Sequence, residues 1–496
     1  MSGAKTARPG VLTRRGLLVR GAWAGLSISG LAAALAACGS GASSPAASGP
    51  PSGAPSPSGR GGGPSVTPAL PSAPVPSGPV VLPAPVSARY GPLLPIGVLD
   101  LTGVASATLA ARAREVAAAA GLSVAPGPSN APAAARVTVV ADDPAYPPEG
   151  YRLTVSADGP GGAAAIEVRA SAEAGAWNGL LSLGQLFAAG PAGSSVRAAE
   201  IEDGPGFARR GAILDPYVLP HVGVTEASKA VLMGRLAFAV RYKANFLGMV
   251  DRTPWPELVA YCRDHHVELM NAMGYQNWIV DWGPAEWRRR IDEKLDAGTR
   301  SIALCFDDVP VDDGTALATA HAAAYVDLYD YIRGREPDCR MSAVLSPYGG
   351  IPGAAAFGRH PEEGARYLAI MKARLPADVR VFWTGDGGVF SPTVTASGAR
   401  AYRDAVGREL GFWDNDAISW AAYRTPCRGR APDLASVVTA YMVNVAGPEN
   451  WRGTNGEFAL LTSLLYAWNP GDYDPDRAAA AAEQVTAGLP PTGGAS

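Results

Sequence analysis

From about residue 206 the chain sets short apolar runs between stretches whose apolar positions recur every three to four residues. The runs are 211–217, 244–250, 267–273, 301–308, 340–347, 379–385, 410–415 and 439–445. Helical spacing fills 226–243, 256–265, 284–297, 318–335, 361–375 and 396–406, and 456–468 follows the eighth run. A run of four to eight apolar residues is a strand buried on both faces, and the longer periodic stretches are amphipathic helices. Eight strand–helix alternations predict an α/β fold, a TIM (β/α)8 barrel over 206–475. An open doubly wound sheet alternates too. The count of eight argues against it, as does the lack of a G-x-G-x-x-G turn after the first run.

A different rhythm precedes the barrel. Residues 135–141, 150–155 and 165–170 read as strands, the last two alternating with period two, while 105–121 and 172–188 read as helices. This predicts a small α+β domain over 80–205. It shows no cluster of acid, base or nucleophile, so an accessory role is expected.

Residues 1–79 have neither period. Thr13-Arg14-Arg15-Gly16-Leu17-Leu18 reads as a twin-arginine export signal, followed by an apolar stretch over about 22–37. Leu35-Ala36-Ala37-Cys38 resembles a lipobox, so 1–38 reads as a signal peptide that leaves lipid on Cys38. An ordinary signal with a chance cysteine is the alternative. Residues 39–79 are almost wholly Ser, Gly, Pro and Ala, a disordered tether expected between membrane and folded body. Residues 476–496 are expected to be a C-terminal tail that begins like a helix and runs to Gly and Pro. The expected location is therefore extracytoplasmic, on the outer face of a bacterial cell membrane or, as the alternative, secreted.

Composition narrows the function. Lys and Arg total 42 against 45 Asp and Glu, net −3 over 496 residues, so no basic excess exists to neutralise a nucleic-acid backbone. Cys262, Cys305, Cys339 and Cys427 have no metal-ligand spacing and read as buried thiols, with one extracellular disulfide left open. The five histidines read as surface or helix-terminal residues. No cofactor or metal is expected.

Barrel chemistry sits at the C-terminal ends of the strands. Those ends carry Asp215, Asp251, Arg252, Asn271, Asp307, Asp308, Tyr348, Trp383, Thr384, Trp413, Asp414, Asn415 and Asn444. Acids and amides bind hydroxyls and aromatic faces stack on pyranose rings, so this mixture suits a sugar. Asp307-Asp308 is the sharpest feature. Two adjacent carboxylates beside an apolar wall cannot both ionise cheaply, so one should keep its proton as a general acid. A helix N-cap is the alternative, for which Asp312 and Asp313 are better placed. Trp383 and Thr384 fit barrel-lip packing as well as they fit a site.

Two resemblances sharpen this. "EGYRLTV", "IEVRASAEAGAWNGLLSLGQLF" and "IEDGPGFARRG" resemble, in that order, the small domain that precedes the catalytic barrel in several β-N-acetylhexosaminidase families. "AGTRSIALCFDDV", "VFWTG", "GFWDN", "AYMVNVAGPEN" and "LLYAWNPGDYDP" resemble glycoside hydrolase family 84, the O-GlcNAcases and bacterial β-N-acetylglucosaminidases. The resemblance implies retaining, substrate-assisted hydrolysis in which the 2-acetamido oxygen attacks the anomeric carbon. By motif, Asp307 would hold the acetamido N–H and Asp308 would be acid and then base. Tyr348 would bond the acetamido group, Trp413 would wall its pocket, Asn415 would hydrogen-bond it and Asn444 would bind a ring hydroxyl.

Three motifs depart from that family. Its first-strand glutamate and "GFYG" become Leu214-Asp215-Pro216-Tyr217, its strand-two lysine falls at Val250, and a hydroxyl-gripping aspartate falls near Trp420, with Asp416 displaced. Asp215 and Arg252 are the candidates to replace those contacts. The expected function is a lipid-anchored hydrolase releasing β-linked N-acetylhexosamine from a glycan. A silent glycan-binding lipoprotein, or a hydrolase of another amino sugar or polymer, is the alternative.

Overall fold

The computed structural model describes residues 80–129, 131, 133–159, 162–190, 193–214, 225–274, 278–350, 361–445 and 448–489. Cys38, Asp215, His221 and His360 lie outside the described residues.

The leading domain is a mixed sheet with two helices. In chain order it comprises β1 (Ser87–Ile96), β2 (Val98–Val104), α1 (Ala107–Ala119), β3 (Ser123–Val124), β4 (Ala134–Val140), β5 (Tyr151–Ser156), β6 (Ala165–Ala170), α2 (Glu173–Leu186), β7 (Phe187–Gly190) and β8 (Gly193–Asp203). Strand order is β1-β8-β5-β6-β4-β2-β3, with β7 also on β8. The helices and β4, β5 and β6 lie where the periodicity puts them. β1, β2 and β8 do not announce themselves. β1 is a mostly exposed edge strand interrupted by Pro92 and Pro95, which blunt that edge against further pairing. β8 is built largely from small and charged residues.

The barrel follows, all parallel and closed. It runs β9 (Arg209–Ile213), α3 (Glu226–Arg241), β10 (Phe246–Val250), α4 (Pro256–Asp264), β11 (Glu268–Met273), α5 (Trp278–Asp296), β12 (Ser301–Cys305), α6 (Gly314–Arg335), β13 (Arg340–Val344), α7 (Pro361–Arg374), β14 (Arg380–Trp383), α8 (Ala396–Val406), β15 (Glu409–Asp414), α9 (Ala417–Tyr423), β16 (Val438–Asn444) and α10 (Asn455–Trp468). α9 is an addition to the sequence expectation. A further helix, α11 (Pro475–Ala487), is capped by Asp474 and packs on α10 where the sequence suggested a tail. The expected (β/α)8 barrel behind a small α+β domain is what the chain forms.

Strand alternation sorts the interior into layers. At the floor, Glu268 is buried among Arg209 (2.7 Å), Arg340 and Arg380 (3.7 Å), with Ser301 donating at 2.9 Å. The middle is apolar: Ile213, Phe246, Met270, Ala303, Val344, Phe382, Ala440 and Met442. The same alternation carries Asp307, Trp413, Asn415 and Asn444 into the layer above.

Buried polar contacts fasten the two domains. Asp203 at the end of β8 accepts from Tyr151 Oη (2.8 Å), Lys243 Nζ (2.9 Å), Trp468 Nε1 (2.9 Å) and the amides of Val86 and Gly204. Glu149 accepts from Arg210 (2.6 Å) and Asn245 (2.7 Å). These groups come from the sheet, β9, the approach to β10 and the end of α10.

The four cysteines are free and buried. His265 caps α4 and stacks on Tyr261, a helix-terminal place as expected. His321 is a correction. It is fully buried in α6, stacked on Phe306 (4.4 Å) and bonded to Tyr367 (2.7 Å), and burial pushes its pKa down to about 4.

Candidate active site

The apolar run of β12 ends at Cys305, and the chain then turns. Phe306 goes into the outer core and the next two residues stand at the mouth. Asp308 adopts a left-handed φ of 60°, which aspartate tolerates better than most residues and which still costs on the order of 1 kcal/mol. In an extended strand consecutive side chains point to opposite faces; this turn lifts that constraint. Asp308 Oδ1 accepts from the Tyr348 hydroxyl at 2.7 Å, and Tyr348 belongs to the inner barrel cluster. Neither acid caps a helix. The N-cap of α6 is Asp313, whose side chain accepts from the Ala316 amide at 2.9 Å.

Asp307 is the electrostatic anomaly. Its Oδ1 is sealed from solvent and has no hydrogen-bond donor. Burial, and then the nearby Asp308 charge, push its pKa up to about 7. The raised pKa falls on Asp307, the residue expected to hold the acetamido N–H.

Across the mouth, β15 turns Trp413 and Asn415 inward. Trp413 meets Phe382 edge-on at 6.3 Å, and its Nε1 has no acceptor. Asn415 donates to the Val389 carbonyl (3.1 Å) and accepts from Asn444 Nδ2 (2.8 Å), which leaves Asn444 Oδ1 buried and unpaired. The mouth thus holds two acceptor oxygens and one indole donor without protein partners. A buried polar atom left so costs about 1–3 kcal/mol.

Other strand-end residues serve structure. Asp414 faces outward and is fully buried against Arg430 (2.6 and 2.8 Å) and Tyr441 (2.8 Å). Arg430 also reaches Asp416 (3.4 Å) and lies over the Trp420 ring, so the displaced aspartate is held by a cation. Asp251 pairs with Arg290 (3.1 Å) on α5, and Asn271 donates to the Arg252 carbonyl (2.5 Å). Trp383 is buried among Tyr402 and Phe412. Thr384 donates to the Gly388 carbonyl at 2.6 Å. The Val389 carbonyl under Asn415 is a contributor that sequence reasoning missed, because a backbone group in a loop has no residue signature. Among the described residues no group of three or more His, Cys, Asp and Glu could hold a metal ion.

Comparisons with known proteins agree on both parts. Residues 254–493 match the sequence model of a family described as beta-N-acetylglucosaminidase, and residues 64–204 match that of glycosyl hydrolase family 20, domain 2. The structure of CpGH84B is similar in fold at 18% identity and a TM-score of 0.64, over 82% of this chain and 74% of that one. CpGH84D is similar at 16% identity and 0.59, over 83% and 72%. A glycoside hydrolase family 20 beta-N-acetylglucosaminidase is similar at 15% identity and 0.56, over 83% and 96%.

Proposed function

Since the chain is a β-N-acetylglucosaminidase-like glycoside hydrolase with a hexosaminidase-type leading domain, we propose that it removes a β-linked N-acetylhexosamine by substrate-assisted, retaining catalysis. The observation that carries this reading is the pair of adjacent acids at the end of β12, an Asp307 whose pKa burial raises beside an Asp308 pinned by Tyr348. A carboxylate at the mouth is matched by an amide N–H, and the 2-acetamido group brings one. That N–H favours the Asp307 anion, so the shared proton demand passes to Asp308 when the sugar binds.

The acetamido oxygen then attacks C1 while Asp308 protonates the departing glycosidic oxygen. An oxazolinium-like ring forms, and its positive charge faces the Asp307 carboxylate. Asp308, now ionised, takes a proton from water as that water opens the ring at C1. Tyr348 orients Asp308, Trp413 walls the acetamido methyl, and Asn415 and Asn444 bond the amide and a ring hydroxyl. Arg252 and Asp215 remain the candidates for outer hydroxyls. Asp414 and Asp416 are committed to Arg430, which favours a sugar gripped differently from the family's own.

The test is the chain from residue 39 with an aryl β-N-acetylglucosaminide and a panel of amino-sugar polymers. Asp308→Asn should remove turnover, and Asp307→Asn should slow it by roughly 10²–10³-fold. Tight binding of an oxazoline-mimicking thiazoline without turnover of any substrate would make the protein a silent glycan binder. The reading keeps lipid on Cys38 and an outer membrane face, tested by incorporation of labelled fatty acid that Cys38→Ser abolishes.

A further inference from the structure

The two loops that carry the mouth are fastened to each other at one residue. Thr384 follows β14 directly, is buried, and uses both of its polar groups. Its amide donates to the Tyr348 carbonyl at 2.9 Å, in the segment after β13. Its hydroxyl donates to the Gly388 carbonyl at 2.6 Å, in its own loop. Gly349 and Gly388 touch backbone to backbone at the seam: a Cβ on Gly349 would stand 2.5 Å from the Gly388 Cα. Gly388 has φ of 110°, which glycine adopts freely and other residues rarely do.

Each side of that seam ends on a group of the site. On one side the Tyr348 hydroxyl holds Asp308 at 2.7 Å. On the other, Val389, one residue beyond Gly388, offers its carbonyl to Asn415, and Asn415 holds Asn444. The rest of the loop is fixed independently. Asp386 accepts from the Thr395 amide and hydroxyl, and Arg430 donates to the Ser391 and Pro392 carbonyls. The Thr384 hydroxyl also lies 3.5 Å from the Tyr348 carbonyl, so the same side chain faces both loops.

We propose that Thr384 is a positioning residue for the hydrolysis: its hydroxyl and amide set the Tyr348–Asp308 side of the mouth against the Asn415–Asn444 side. The proposal rests on the hydrolase reading for its kinetic consequence but not for its structural one. Reacting groups need placement to within a fraction of an ångström, and a shift of 1 Å costs up to 10²-fold in rate. Thr384→Val keeps the shape and the amide bond and loses the hydroxyl, which leaves the Gly388 carbonyl only the longer 3.5 Å bond from Ser391 and loosens the loop carrying Val389 at the seam.

The experiment has two readings on the intact chain. In hydrogen exchange, Thr384→Val should lose protection at 384–391 and 348–349 with other segments unchanged, and Thr384→Ser should restore it. In kinetics on the aryl glycoside, Thr384→Val should lower kcat about ten- to hundredfold with KM within about threefold, and Thr384→Ser should recover most of the rate. The Thr384→Val and Tyr348→Phe losses should combine to less than their product. Unchanged protection in Thr384→Val overturns the clamp whatever the activity. So does a kcat loss that Thr384→Ser shares. Loss of protection with no turnover even by the unmodified chain would sink the hydrolase reading and leave the clamp standing.

Discussion

At the scale of single residues, Asp307 ties stability to function. Burial and the Asp308 charge raise its pKa to about 7, against an ordinary value near 4 in the unfolded chain. Between those values the folded protein binds the extra proton, so folding stability falls as pH rises through the window and levels off above 7. Asp307→Asn has no charge to strand. Its melting temperature should exceed that of the unmodified protein by a margin that grows from pH 4 to pH 8, even as turnover drops. A constant margin across that range would contradict the burial argument. Much of this residue was legible in the sequence, because an apolar run ending in two acids says what the dielectric will be. Asp414 was not, because a register shift between Leu410 and Gly411 and an arginine sixteen positions later decide its company.

Among elements, the strands were the readable part and their loops were not. Eight apolar runs gave all eight barrel strands, since a strand buried on both faces has few alternatives to an unbroken apolar run. The leading sheet's edge strand was hidden because an exposed, proline-bearing strand lacks that signature, and β8 was hidden by its small and charged residues. The strands' first residues build the floor of the barrel. Burial alone would raise the Glu268 pKa, but Arg380, Arg340 and Arg209 outweigh it and hold the carboxyl below its usual range. Its contribution is therefore present above the ordinary glutamate pKa and is lost as pH falls through the lowered one. Glu268→Gln leaves Arg380 and Arg209 only their second partners, Glu409 and Glu149, and should destabilise the barrel by roughly 1–3 kcal/mol at neutral pH. Denaturant titration at pH 7 and pH 3 checks it: the gap between variant and parent should shrink at the lower pH.

For the whole molecule, the domain junction decides how the parts unfold. Lys243 and Asp203 form a fully buried pair, roofed by the Trp468 ring 4.2 Å from the lysine nitrogen. Lys243→Met strands the aspartate and should cost roughly 3–5 kcal/mol. In native-state hydrogen exchange, amides of β5 and β8 should lose protection together with those of α10, because one acid serves all three. Separate loss from the leading domain alone would mean the junction is decorative. The junction also sets a timetable. Trp468 lies 265 positions beyond Asp203, the acid it completes. A ribosome making this chain releases the leading sheet early but withholds its last anchoring donor until all eight barrel strands have been made. A nascent chain stalled before that tryptophan should therefore offer its leading domain to a protease, and the finished one should not.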